Sequence, residues 1–80
     1  MTIILRSSFK KKYKKLSLKI RRRFDERLGL FVRDEFSPVL NNHALTGEYK
    51  GYRSINISGD LRAVFKREKN LTIFVVLDRH

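Results

Sequence analysis

Apolar and polar positions along the chain alternate with two different periods, and the change of period divides it into elements. Thr2 to Leu5 is a short β-branched and aliphatic run that reads as an edge or second-row strand. Phe9, Tyr13 and Leu16 then recur at i, i+4 and i+7, the stripe of a short amphipathic helix that Ser7 or Ser8 could cap. Ser17 is placed to cap a second, longer helix whose stripe is Ile20, Phe24, Leu28 and Phe31 or Val32. Gly29 inside that helix costs about 1 kcal/mol against alanine, with no compensation visible in the sequence. Arg21 with Asp25 and Arg22 with Glu26 are spaced as i, i+4 ion pairs for its outer face. Ser37-Pro38 should end it, because the residue before proline avoids the α region.

From here the period shortens to two. Val39 to Tyr49 reads as a loop carrying His43. Tyr52, Ser54, Asn56 and Ser58 then point one way along a strand, and Arg53, Ile55 and Ile57 the other. After Ser58-Gly59-Asp60 the β-formers Leu61, Val64 and Phe65 continue among Arg62 and Lys66, so the pair reads as a hairpin. A turn near Lys69-Asn70 leads to Leu71 to Leu77, LTIFVVL, apolar on both faces as a central strand would be. The expected fold is α+β in the order β-α-α-β-β-β. Two N-terminal helices pack on one face of a four-stranded, mainly antiparallel sheet. They can cover only that face. The other is left open, with Ser54, Asn56, Arg62 and Lys66 available to it.

Eighty residues make a single domain over 1–80 with a small core, of modest stability unless a partner adds to it. Cysteine is absent, which excludes disulfides, zinc thiolate sites and thiol catalysis. His43 and His80 are the only histidines and neither has a partner at ligand spacing, so no metal or other cofactor is expected. No serine stands in a nucleophile-elbow context. No apolar run approaches membrane-spanning length and the start MTIILRSS lacks a sufficient signal-peptide core, so no membrane and a cytoplasmic location are expected.

Charge changes the picture most. Nineteen Lys and Arg against eight Asp and Glu give a net charge of +11 and a pI near 10.6. That field favours a polyanion: nucleic acid, an anionic membrane or an acidic protein. Residues 10–23 hold nine basic side chains and no acidic one. Such runs are usually solvated helix faces. Here the density favours phosphate contact, with Lys10, Lys11, Lys12, Lys14 and Lys15 on the first helix and Lys19 and Arg22 on the second. Tyr13 falls on the apolar stripe and is assigned to the core rather than to base stacking.

The run His43-x-Leu45-x-Gly47-x-x-x-Gly51-Tyr52-Arg53, followed by Gly59-Asp60-x-Arg62-x-Val64-Phe65-Lys66, resembles the RelE/ParE superfamily of type II toxin–antitoxin toxins. It is most similar to the YafQ-like branch of ribosome-dependent mRNA interferases. The resemblance implies the same fold, an active site on the open face, and the ribosome, mRNA and an acidic antitoxin as partners. It also implies RNA cleavage by the substrate's own 2′-hydroxyl, which needs proton transfer and cations on the phosphate but no metal. Residues of those types in the region are His43, Lys50, Arg53, Arg62, Lys66 and His80. By resemblance, His43 and His80 match acid–base histidines and Arg62 a phosphate-stabilising arginine. Lys50 and Lys66 would contact RNA, and Arg53 joins the catalytic set. Ser54 and Asn56 stand where the YafQ-like branch carries an aspartate and a histidine, and Asp78-Arg79-His80 replaces Gly-Thr-His. The alternative is a non-catalytic binding module, either a ParE-like gyrase inhibitor or an inactive relative that still binds its antitoxin.

Overall fold

The computed structural model describes residues 1–79, so the roles expected of His80 lie outside the described residues. The chain runs β1 (Thr2–Leu5), α1 (Ser7–Lys14), α2 (Leu18–Arg33), β2 (His43–Ala44), β3 (Arg53–Ser58), β4 (Leu61–Glu68) and β5 (Leu71–Arg79). Single 3-10 turns at Pro38–Leu40 and Gly47–Tyr49 lie on either side of β2. The sheet order is β1-β5-β4-β3-β2, with β1 parallel to β5 and every other pair antiparallel.

The expected α+β architecture is present with five strands instead of four. The extra one is a two-residue ladder in which His43 pairs with Ser54 and Ala44 with Arg53. Two residues are too few to show alternation, so the segment reads as loop in the sequence. The apolar run of β5 is interior as expected, but the middle of the sheet is β4.

Ser17 caps α2 as its position suggested, its hydroxyl accepting from the Ile20 N–H at 3.3 Å. The first helix has no such cap. Arg6 stands at its N-terminus in extended backbone, and Ser7 is already helical. The second helix ends at Arg33, five residues before Pro38: Asp34 leaves the α region (φ −154°, ψ 85°), and the proline opens the 3-10 turn that follows. Neither i, i+4 ion pair forms among the described residues; Asp25 accepts the Tyr13 hydroxyl at 2.9 Å instead. That bond draws the partly buried Tyr13 ring onto Phe24, with centroids 5.2 Å apart.

The core lies between the helices and one face of the sheet. Phe74 on β5 is its hub, with ring centroids 5.7 Å from Phe9, 5.7 Å from Phe31 and 5.2 Å from Phe65. Offset and edge contacts of this kind add about 0.5–1.5 kcal/mol per pair beyond area burial. Ile55 and Ile57 close the core from β3, both fully buried. Arg67 shares this face: its guanidinium lies over the Phe31 and Phe65 rings and pairs with Glu35. The helices leave the opposite face of the sheet uncovered.

Candidate functional site

Strand register determines what the uncovered face presents. Ser54 and Asn56 on β3, and Tyr52 just before it, alternate with the core residues. Across the ladder, Ser54 stands opposite Val64 and Asn56 opposite Arg62. The short β2 adds His43 opposite Ser54. These side chains line a cleft of about 330 Å³, with His43 and Asn41 on one wall, Arg62 on the other, Ser54 and Asn56 on the floor, and Gly59-Asp60 at one end.

The hydrogen bonds around the cleft decide its chemistry. Asn41 adopts the left-handed conformation (φ 47°, ψ 47°), tolerable for asparagine, and this turns the chain from the 3-10 turn into β2. Its carbonyl then lies 2.7 Å from His43 Nδ1. A carbonyl can only accept, so Nδ1 carries the proton, and in the neutral imidazole Nε2 then keeps its lone pair, the arrangement of a general base. Asn56 donates to the Gly59 carbonyl at 2.9 Å and ties the floor to the hairpin turn, where Gly59 takes φ +55°. Asp60 accepts from Arg79 at 2.6 Å.

Arg62 could have been neutralised by any of three nearby carboxylates. Asp60 is held by Arg79 and Glu68 by Lys66 at 2.9 Å. Asp78, opposite Arg62 in register, turns its carboxylate to the Arg79 N–H and toward Lys12. Among the described residues, Arg62 therefore makes no ion pair and presents a half-buried guanidinium to the cleft.

The other candidates fall in different places. Arg53 sits on the core side of β3, as its alternation requires, and so departs from its assignment to the catalytic set. Its Nε donates to Asn42 Oδ1 at 2.8 Å and its guanidinium lies 5.6 Å from the Phe36 centroid. It braces the strand next to His43 without facing the cleft. Lys66 does share the open face, further along β4, and Lys50 is exposed in the loop before β3. Lys10, Lys11, Lys12, Lys14, Lys15, Lys19 and Arg22 are all exposed, on the helix layer and hence across the sheet from the cleft. No three of His, Asp and Glu converge among the described residues. Asn41 is the cleft residue that the sequence did not reveal. The signal for it was available in an Asn-Asn pair just before the expected histidine, since asparagine is enriched at positive φ.

The sequence matches no protein-family model and no curated protein sequence. The structure has clear counterparts. It superposes on a YoeB/ParE toxin from Agrobacterium tumefaciens with a TM-score of 0.80 at 16% identity, covering 100% of this chain and 99% of that one. YafQ from E. coli strain BL21(DE3) gives 0.77 at 21% identity, over 100% and 93%. A chain of the YoeB–YefM complex from Staphylococcus aureus gives 0.79 at 19% identity, over 100% and 97%. Whole-chain superposition at such low identity is a statement about architecture, and it agrees with the resemblance carried by residues 43–66: this chain has the fold of the RelE/ParE-type toxins.

Proposed function

We propose that the chain is the toxin of a type II toxin–antitoxin pair and acts as a ribosome-dependent mRNA endoribonuclease. The observation that carries this reading is the pairing, across one cleft on the uncovered face, of a base-configured histidine with an arginine that makes no ion pair among the described residues. His43 Nε2 takes the proton of a substrate 2′-hydroxyl. The resulting oxygen attacks the neighbouring phosphorus, the bond to the 5′-oxygen breaks, and the upstream fragment keeps a 2′,3′-cyclic phosphate. Arg62 stabilises the charge gathering on the phosphate. The leaving 5′-oxygen takes up a proton, for which the second of the two acid–base histidines matched by the resemblance, His80, is the candidate donor. All of these groups belong to the protein or the RNA, so the reaction is metal-independent.

The basic helix layer serves a different contact. With the cleft facing mRNA, Lys10 to Arg23 face away from it and suit ribosomal RNA phosphates. An acidic antitoxin in the cytoplasm would neutralise this charge, as YefM is the partner of YoeB in the Staphylococcus complex.

One observation favours the alternative of a non-catalytic binder. The cleft floor offers a hydroxyl and an amide, Ser54 and Asn56, where the YafQ-like branch has two proton-transfer groups. Primer extension on translated mRNA, run beside a gyrase supercoiling assay, separates the readings. Cuts within ribosome-bound message, with a cyclic or 3′-phosphate end, are expected. Gyrase inhibition without cuts would transfer the protein to the ParE-like class, and neither effect with antitoxin binding retained would mark an inactive relative.

A further inference from the structure

Beside the cleft lie two tyrosines that the core does not use. Tyr49 closes the 3-10 turn Gly47–Tyr49, and Tyr52 precedes β3. Their rings meet edge to face at 5.7 Å and 83°. Unlike Tyr13, neither belongs to the core cluster or packs against it, and neither hydroxyl has a hydrogen-bond partner among the described residues. A half-buried tyrosine used by neither the core nor a side-chain hydrogen bond is the kind of amphipathic ring enriched at binding surfaces.

The backbone goes to some length to hold them there. Gly47 (φ +68°) and Gly51 (φ +93°) both occupy conformations that side chains resist, yet nothing lies within 4 Å of a Cβ at either. Their role is the reversal of direction itself, which brings residue 49 back onto residue 52; the Tyr52 N–H donates to the Tyr49 carbonyl at 2.9 Å. Lys66 completes the group from β4, its Nζ 5.9 Å from the Tyr52 centroid and 2.9 Å from Glu68 Oε1.

Position gives the group its meaning. Tyr52 is two residues before Ser54 on the same face, roughly 7 Å along the strand, a step that one nucleotide of an extended strand covers. Arg62 and Lys66 are two such steps apart on β4. We propose that Tyr49, Tyr52 and Lys66 form a nucleotide seat adjoining the cleft: the tyrosines stack the base next to the one at the cut, and Lys66 holds its phosphate. The seat rests on the reading of the cleft as an RNA-cleaving site. On occupation Lys66 exchanges the Tyr52 ring and the Glu68 carboxylate for the phosphate. Every base has a π-face, so the seat fixes where the message lies without choosing its sequence.

Coupling between ring and base tests this. Ribosomes are programmed with a message carrying either a normal base or an abasic residue at the nucleotide adjoining the cut, and kcat/KM is measured for wild type, Tyr52→Leu, Tyr49→Leu and Tyr52→Phe. The abasic message should slow wild type by roughly 5- to 150-fold, the range of one base–aromatic stack. Tyr52→Leu should be slowed as much on the intact message and lose little more on the abasic one, while Tyr52→Phe keeps the wild-type pattern. Wild type indifferent to the abasic residue, or losses that simply multiply, would overturn the seat while leaving the cleavage reading standing. Wild type that cuts neither message would bring down both. The wild-type comparison needs no variant, so it decides the question even if Tyr52→Leu fails to fold.

Discussion

Two arginines nine positions apart show how much one pleat decides. Arg62 and Arg53 are both basic, both on strands of the same hairpin, and both candidates for the reaction by residue type. Parity separates them: Arg62 opens into the cleft, whereas Arg53 is fixed by Asn42 and lies over Phe36. Arg62→Ala should therefore lower the cleavage rate by orders of magnitude without changing thermal stability, and Arg62→Lys should recover only part, because an ammonium lacks the forked donors. Unchanged cleavage by Arg62→Ala would remove the catalytic role. Arg53→Ala should act through the fold, lowering stability by about 1.5–3 kcal/mol for the loss of a charged hydrogen bond. The alternation that sends Arg53 to the core side is already written in the sequence; its inclusion among the catalytic residues rested on residue type and proximity. Tyr13 carries a pH signature of its own. Partial burial, then the hydrogen bond to the Asp25 carboxylate, raise its phenol above the ordinary value of 10.0. A raised folded-state pKa means the contribution is complete below pH 10 and is lost as the pH climbs through the folded value. Alkaline melts of wild type and Tyr13→Phe should diverge at neutral pH and converge above that point.

Among the elements, what the sequence revealed depended on length. The 16-residue α2 carries enough repeats for its period to be read, and the eight- and nine-residue β4 and β5 are long enough to show as runs of β-formers and apolar residues. The two-residue β2 does not, yet it delivers His43 to the cleft. Its pairing is long-range information, set by Asn41 turning the chain and by the Arg53–Asn42 clamp. The C-terminus of α2 departs from expectation for a related reason. Pro38 signals that a helix cannot run through it, but the stop at Asp34 comes earlier, from a turn in which the Ser37 N–H reaches the Asp34 carbonyl. Gly29 has no packing role of this kind. A Cβ there would meet nothing closer than Arg33 Nη1 at 3.6 Å, an ordinary approach to the end of a flexible side chain. The glycine is thus not required by packing within the chain, and Gly29→Ala should stabilise the domain by about 0.5–1 kcal/mol in a denaturant titration. A loss of stability would mean that the helix needs the glycine for a reason the packing does not contain.

At the scale of the whole molecule, the sheet separates two kinds of chemistry. The uncovered face holds a small cleft with one histidine and one arginine that makes no ion pair among the described residues, where geometry matters and few charges act. The helix layer holds the dense positive charge, exposed along α1 and the start of α2, where number matters more than position. Composition alone showed the charge but could not show that it lies across the sheet from the cleft. This arrangement predicts that affinity and cleavage respond to different perturbations. Each phosphate neutralised by the helix layer releases condensed counterion, so ribosome affinity should fall linearly with salt on a double-logarithmic plot. Reversing Lys11, Lys14 and Arg22, all exposed and in none of the ion pairs seen, should leave the fold intact. It should flatten that slope by about one unit for every phosphate the helix layer no longer neutralises. Cleavage at saturating protein should then stay near wild type, since the cleft is untouched. Arg62→Ala should give the converse, with the salt slope largely kept and the cleavage rate lost. Filter binding across a salt series, with single-turnover cleavage on the same ribosomes, measures both. A triple variant with an unaltered slope would mean that the basic helices carry solubility rather than phosphate binding. If it bound normally but cut slowly, the charge would act on the reaction through the sheet, and the separation of the two faces would not hold.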